Sequence, residues 1–280
     1  MNFRAILVAA AAIAVADAVL TPSARPARAE RPSTCQQTHL RDGFVAAELP
    51  PKAQVEVLVA AGVTAAPRQK DAFAQMARAL FVCAGTDATI DLVPITDTGY
   101  GRGPIFTATA PGPHPGRTNR LIIQKQQDEL ERRAGVAIHT VLFTPEKFTG
   151  SDILGTLYTA GNALHDSQAT KRVVIIIANG WHQTHDIDLF TYKRPPDTIV
   201  GDVVKKLRKQ HRMPNLADTD VYVAGISRGA DGMRIDEGGL ASLCTFWNTV
   251  VEESHGTMPP NSCGRMLPGM PEQLATPPPS

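Results

Sequence analysis

Gly225-Ile226-Ser227-Arg228-Gly229 has the Gly-x-Ser-x-Gly spacing of a nucleophile elbow, and Asp236 and His255 follow it in the chain order of an α/β-hydrolase triad. Chemistry of that kind needs a helix immediately after the serine and an aspartate at the end of a later strand. Arg228-Gly229-Ala230-Asp231-Gly232-Met233 is a poor helix start, and no strand pattern remains after Ile226. Serine hydrolysis is therefore the alternative and not the leading expectation. A second grouping, His182-Gln183-Thr184-His185-Asp186-Ile187-Asp188, spaces imidazoles and carboxylates as ligands for Zn2+ or an Fe- or Mn-type ion. It becomes a site only if the loop turns to gather His182, His185, Asp186 and Asp188; left open, the same residues are a solvated loop. A third, Lys205-Lys206-Leu207-Arg208-Lys209-Gln210-His211-Arg212, is either a docking patch for an acidic partner or the wet face of a helix whose apolar side is Val203, Val204 and Leu207. Beside these stands Trp181, a loop aromatic that anchors protein contacts if exposed and packs under the loop if not.

The elements that must position these groups alternate strand and helix. Arg172 to Gly180 is an unbroken β-branched run closed by Asn-Gly, the pattern of a strand buried on both faces of a parallel sheet. Gln54 to Ala60, Thr89 to Thr96 and Val221 to Ile226 are further strands, and Val136 to Phe143 reads as another. Apolar residues at helical spacing mark Arg68 to Phe81, Thr118 to Ala134, Asp152 to Asp166 with Ser151 as its cap, Thr198 to His211, and Asp236 to His255. Gly99 to Gly116 is Gly- and Pro-rich and reads as a long loop. The expected fold is α/β: a doubly wound, mostly parallel sheet with helices on both faces. In such sheets the working crevice lies at the carboxyl ends of the strands, which here means near Asn179.

Residues 1–29 have the layout of a secretory signal: Arg4, an apolar core from Ala5 to Ala16, and the small-x-small site Ala27-Arg28-Ala29. The apolar run is short for a membrane span, and Asp17 interrupts it. Residues 30–51 read as an N-terminal arm, 52–256 as the α/β domain, and 257–280 as a Pro-rich tail. Removing residues 1–29 takes away Arg4, Arg25 and Arg28 against Asp17, so the net charge of +1 becomes about −1. A surface of that balance is no footprint for nucleic acid or anionic membrane. The expected location is periplasmic or secreted, where Cys35, Cys83, Cys244 and Cys263 form disulfides by default. Three pairings exist on paper; Cys35 with Cys83 and Cys244 with Cys263 is the expected one, since each bond then ties a terminal arm to a helix.

The chain from about Lys52 to His255 resembles the von Willebrand factor type A (vWA) domains, particularly divergent exported bacterial members. The resemblance rests on Gly150-Ser151-Asp152-Ile153-Leu154-Gly155 at a helix start, on Val173 to Asn179 ending in Asn-Gly, and on Val221 to Ile226 before a long final helix. It implies a metal-ion-dependent adhesion site built from Asp-x-Ser-x-Ser after the first strand, a Thr at a helix start and an Asp after the central strand. The matching positions here are Ala60, Gly62 and Thr64, then Ser151, then Asn179. Both acidic positions are lost, and hydroxyls with a neutral amide do not offset the dehydration of Mg2+. A second alignment puts Asp97-Thr98-Gly99-Tyr100-Gly101 in the first role; it restores one aspartate but offers glycines where hydroxyls belong.

The function expected is non-catalytic protein binding by a vWA-like domain with a degenerate metal site and no cofactor. Its binding face would comprise Thr64, Asp97, Ser151, Asp152, Asn179 and Trp181, meeting a protein partner. The alternative is a metal-dependent or serine hydrolase using the same crevice, with Mg2+ or another divalent metal.

Overall fold

The computed structural model describes residues 51–60, 67–100, 102–112, 119–143, 150–192, 194–228, 234–268 and 270. They form one six-stranded sheet. In chain order the elements are β1 (Gln54–Ala60), α1 (Pro67–Cys83), β2 (Thr89–Ile95), β3 (Phe106–Thr109), α2 (Arg120–Phe143), α3 (Ile153–His165), β4 (Arg172–Ile177), α4 (Pro196–Lys209), β5 (Thr219–Ala224), α5 (Glu237–Glu253) and β6 (Cys263–Gly264). The strand order is β3-β2-β1-β4-β5-β6, with every pairing parallel except the antiparallel β2–β3 edge. This is a doubly wound, mostly parallel sheet, the class expected from the sequence, and its direction of winding reverses between β1 and β4.

Burial explains why these strands read as continuous apolar runs. Val55, Val57, Leu58 and Val59 of β1 and Val173 to Ile177 of β4 are all fully buried, as strands covered on both faces must be. On β3, adjacent residues show which helices cover which face, because neighbours on a strand point to opposite sides. Phe106 packs on Phe81 of α1 and lies under the Arg133 guanidinium of α2. Thr107 instead donates to Asp91 on the other side, where α3 lies over the sheet. The two edges are blunted by brevity, four residues at β3 and two at β6.

Three local expectations are corrected. Val136 to Phe143 is no strand but the last part of α2: Ala134, Ile138, Val141 and Leu142 are its buried residues, a helical spacing that prevails over the β-branched composition. The stretch read as one long loop, Gly99 to Gly116, contains β3. The helix α3 is capped by Asp152, whose carboxylate accepts from Gly155 N–H at 2.8 Å, and not by Ser151. The other helices end within a few residues of the expected bounds, α4 with Pro at its first turn and Lys206, Arg208 and Lys209 in its last.

The chain also continues in the sheet past residue 256. Thr257 accepts from Val221 N–H at 2.8 Å, and β6 pairs with Val223 and Ala224. Residues read as a tail therefore complete the sheet, while 271–280 lie outside the described residues. The disulfide Cys244–Cys263, with Cα atoms 5.7 Å apart, fastens α5 to β6 as expected. Cys83 is also disulfide-bonded; its expected partner Cys35, like the signal and arm segments, lies outside the described residues. Among the described residues no helix is long and apolar enough to cross a membrane.

The Cys244–Cys263 bond closes a short loop, and a loop of this length limits the unfolded chain by about 3 kcal/mol. The double variant Cys244→Ala/Cys263→Ala should lose about 2–4 kcal/mol in equilibrium denaturant unfolding. An unchanged midpoint would show that β6 holds its place without the bond.

Candidate functional site

The crevice at the β1/β4 reversal is built around one carboxylate. Asp152 follows Gly150 and Ser151 at the start of α3, and its backbone N–H donates to Thr96 O at the end of β2 (2.6 Å). Its side chain, almost fully buried, accepts from Gly155 N–H through Oδ1 and from Gly99 N–H through Oδ2, each at 2.8 Å. Its carbonyl takes the Thr156 hydroxyl at 2.7 Å. One residue thus joins the first turn of α3 to the loop after β2. Gly99 is required for this approach, since a Cβ there would overlap Thr156 and stand 2.6 Å from Asp152 O. Burial raises the Asp152 carboxyl above its ordinary range, and the two backbone N–H groups oppose that rise.

The loop after β4 is joined to the same point. His182 is 1% exposed, and its Nδ1 accepts from Leu154 N–H at 3.3 Å and lies 3.8 Å from Asp152 Oδ1. Burial pushes this imidazole down to about 3, so the ring is neutral at ordinary pH. Its Nε2 faces the Thr184 hydroxyl, which in turn donates to Ile187 O. An N–H on Nε2 and a bare Nδ1 satisfy every one of these contacts. Ser151 and Gln183 exchange backbone hydrogen bonds, both at 2.9 Å. Gly180, at φ +80°, turns the chain out of the sheet, and its carbonyl accepts from the Trp247 indole at 3.0 Å.

Against this geometry the sequence expectations sort themselves. Trp181 is no exposed anchor: it is buried, its indole N–H donates to Arg228 O at 2.8 Å, and its ring packs on Phe190. Asn179 Oδ1 holds the Trp181 N–H at 3.1 Å. Asp97 sits half-buried at the crevice edge beside exposed Thr98, and Thr64 lies outside the described residues. His182 points inward while the His185 side chain stands fully in solvent, so His182, His185, Asp186 and Asp188 are not gathered. Asp188 instead caps the Phe190 N–H at 2.9 Å. Among the described residues no group of three or more His, Cys, Asp or Glu could hold a metal ion.

The triad is also pulled apart. Asp236 caps the start of α5 through Gly239 N–H at 2.7 Å, whereas His255 lies just beyond its end. Seventeen residues of helix between them span roughly 25 Å, far beyond the reach of a shared proton. Ser227 Oγ accepts from Gln69 Nε2 of α1 at 3.0 Å. The basic run is largely engaged at home: Arg208 pairs with Glu253, Lys206 donates to Asp186 O, and Arg212 lies 3.7 Å from Asp186 and 4.4 Å over the Tyr100 ring. Among the described residues at the adhesion-site positions, Ala60 has no side-chain oxygen and Asn179 is neutral and holds the Trp181 N–H, while each oxygen of the adjacent Asp152 accepts a backbone N–H; this set lacks the free carboxylates that Mg2+ favours.

No family model matches the chain, and none of the curated proteins does. Several solved structures are similar, among them two from Bacteroides. One is the conserved hypothetical protein BatB from Bacteroides thetaiotaomicron, at 10% identity over 73% of this chain and 87% of that one, with a TM-score of 0.34. The other is an aerotolerance-related membrane protein from Bacteroides fragilis NCTC 9343 with multiple mutations to serines, at 14% identity over 75% and 92%, also with a TM-score of 0.34. Likeness at this level leaves fold and function to be read from the chain's own geometry.

One polar pair escaped the sequence reading. Glu56 of β1 and Asp91 of β2 face each other in register, 3% and 7% exposed, at the floor of a cavity of about 300 Å³ beneath α3. A single carboxylate inside each of two otherwise apolar strands, QVEVLVA and TIDLVPI, was the available signal.

The neutral His182 carries a pH signature. Its folded value lies below its unfolded one, so on acidification from about 6.5 the unfolded chain takes a proton that the folded chain refuses, and stability is lost as pH falls toward 3. His182→Asn keeps an acceptor for Leu154 N–H and removes the titration. Urea unfolding of this variant should show about 2–3 kcal/mol less acid loss between neutral pH and about pH 4.5. Equal acid slopes in both proteins would place the acid sensitivity elsewhere.

Proposed function

We propose that this chain is an exported, vWA-like protein-interaction domain that works by contact and without catalysis. The observation that carries the reading is the cross-tied rim: Asp152 and His182 bind the α3 start and the loops after β2 and β4 into one piece. Groups that would do chemistry in an enzyme serve here as fixed acceptors for backbone N–H. A rim ordered in advance loses little freedom on meeting a partner, which is what favours recognition by a surface. Exposed side chains stand on three loops of this rim, at Thr98, His185 and Arg228. Export is supported by the disulfides, which persist in oxidising compartments, together with the signal-like residues 1–29. The partner is a protein, and the reading requires no cofactor.

The hydrolase reading loses its support with the separation of Asp236 from His255. A photo-crosslinking residue placed at Thr98, His185 or Arg228 in cells making the full chain tests the contact reading. Each should give a discrete protein adduct, while the same residue at exposed Asp218, before β5, should give none. Equal adducts from all four positions, or ester or phosphoester turnover that is lost in Ser227→Ala, would sink it.

The same reading predicts that millimolar Mg2+ leaves the melting temperature unchanged, because an ion that binds only the folded state raises it in a saturable way. A rise abolished by Ser151→Ala would restore a metal-dependent adhesion site.

A further inference from the structure

The Glu56–Asp91 pair has no role in the rim, yet its surroundings are specific. Asp91 Oδ2 accepts from the Gln54 amide at 2.7 Å, and Oδ1 accepts from the Thr107 hydroxyl of β3. Both Asp91 oxygens are thus engaged as acceptors, one toward β1 and one toward β3. Glu56, opposite it in the register, is the member that keeps a proton, because burial and the neighbouring Asp91 charge both raise its carboxyl. Two ionised carboxylates cannot share such a contact in a buried site. The cavity above them is walled by Thr159 and Ala163 of α3 and closed by Arg102, Gly103 and Pro104. Those three residues lead straight into Ile105, whose N–H donates to Leu92 O at 2.9 Å, and then into β3.

We propose that the Glu56–Asp91 pair is a proton-operated latch on the β3 edge of the sheet. With one proton shared, Asp91 holds Thr107 and keeps residues 102–109 over the cavity; loss of that proton to solvent leaves two facing carboxylates and frees this edge. The edge is the part able to give. β3 is four residues long, pairs on one side only, and exposes Thr107 and Thr109, whereas β1 and β4 are locked in the centre of the sheet.

The other charges around the pair are few. The loop contributes Arg102 and the end of α3 contributes Asp166. From β4, Val174 lies opposite Glu56, and Arg172, two pairs along and opposite Gln54, donates to Ser167 O at 3.0 Å. The part of α3 that lines the cavity brings hydroxyl and methyl groups and no charge. Burial first, and the Asp91 charge second, push the Glu56 carboxyl up to about 8. Since the folded value is raised, the stability held by the pair is complete below the ordinary carboxylate range and declines as pH rises through about 8.

Hydrogen exchange of the full chain, read by mass spectrometry at about pH 6 and about pH 9.5, tests the latch. Each wild-type rate is compared with Glu56→Gln at the same pH, which removes the intrinsic pH dependence of exchange. The amide introduced by this substitution has nearly the shape of the protonated carboxyl but cannot ionise. The peptide covering 103–109 should exchange at equal rates in the two proteins at the lower pH. It should exchange about ten-fold faster in wild type at the higher pH, with β4 and β5 peptides unchanged. Equal rates at both values, or acceleration spread equally over β4 and β5, would overturn the proposal. Asp91→Asn provides a second reading if Glu56→Gln does not fold: with only one carboxylate left to ionise, the extra exchange of the 103–109 peptide at the higher pH, measured relative to the β4 and β5 peptides, should disappear. Extra exchange that persists in Asp91→Asn would equally defeat the latch.

Discussion

The carboxylate of Asp152 is the constraint on which the working end of this molecule depends. A parallel sheet delivers its strands to one end and leaves their connecting loops to find their own order. Here a single buried side chain receives N–H groups from the loop after β2 and from the first turn of α3, while its own N–H closes onto Thr96. His182 adds the loop after β4 by accepting from the adjacent Leu154 N–H. Removal of the Asp152 side chain would orphan buried donors on two elements at once, so the loss would exceed that of an ordinary helix cap.

The polar residues of this rim are engaged with the backbone. Each Asp152 carboxylate oxygen accepts one backbone N–H, and the neutral His182 ring accepts the Leu154 N–H through Nδ1. The same interactions that engage these groups fix the loops, so the burial of the polar set and the order of the rim have one origin.

Glu56 and Asp91 show the opposite use of the same residue types. Asp152 is surrounded by N–H donors that favour its charge and moderate the effect of burial. Glu56 has a carboxyl neighbour and an apolar setting, and only a retained proton makes that contact tolerable. The difference lies in the third dimension: α3 presents its start, rich in free N–H groups, to Asp152, and its side, rich in methyl groups, to Glu56.

The four central strands β1, β2, β4 and β5 and the α/β class were legible in the sequence because burial on both faces leaves an unbroken apolar record, as in Val173 to Ile177. The Cys244–Cys263 bond was legible for a related reason, since few pairings exist among four cysteines. Val136 to Phe143 was misread because β-branched composition resembles a strand until a partner shows that only the helical stripe of Ala134, Ile138, Val141 and Leu142 is buried. β3 was hidden because a four-residue edge strand has no repeat long enough to register. Trp181, His182 and Asp152 were recognised as residues that matter, but their directions were not, because whether a polar side chain faces a crevice or a backbone N–H depends on elements distant in the chain. The sequence by itself determined which segments must be buried, since hydrophobic burial is a sum over local composition. Only the tertiary structure decided which polar groups meet, since a hydrogen bond depends on the distance and angle between two atoms, and neither is written in one segment alone.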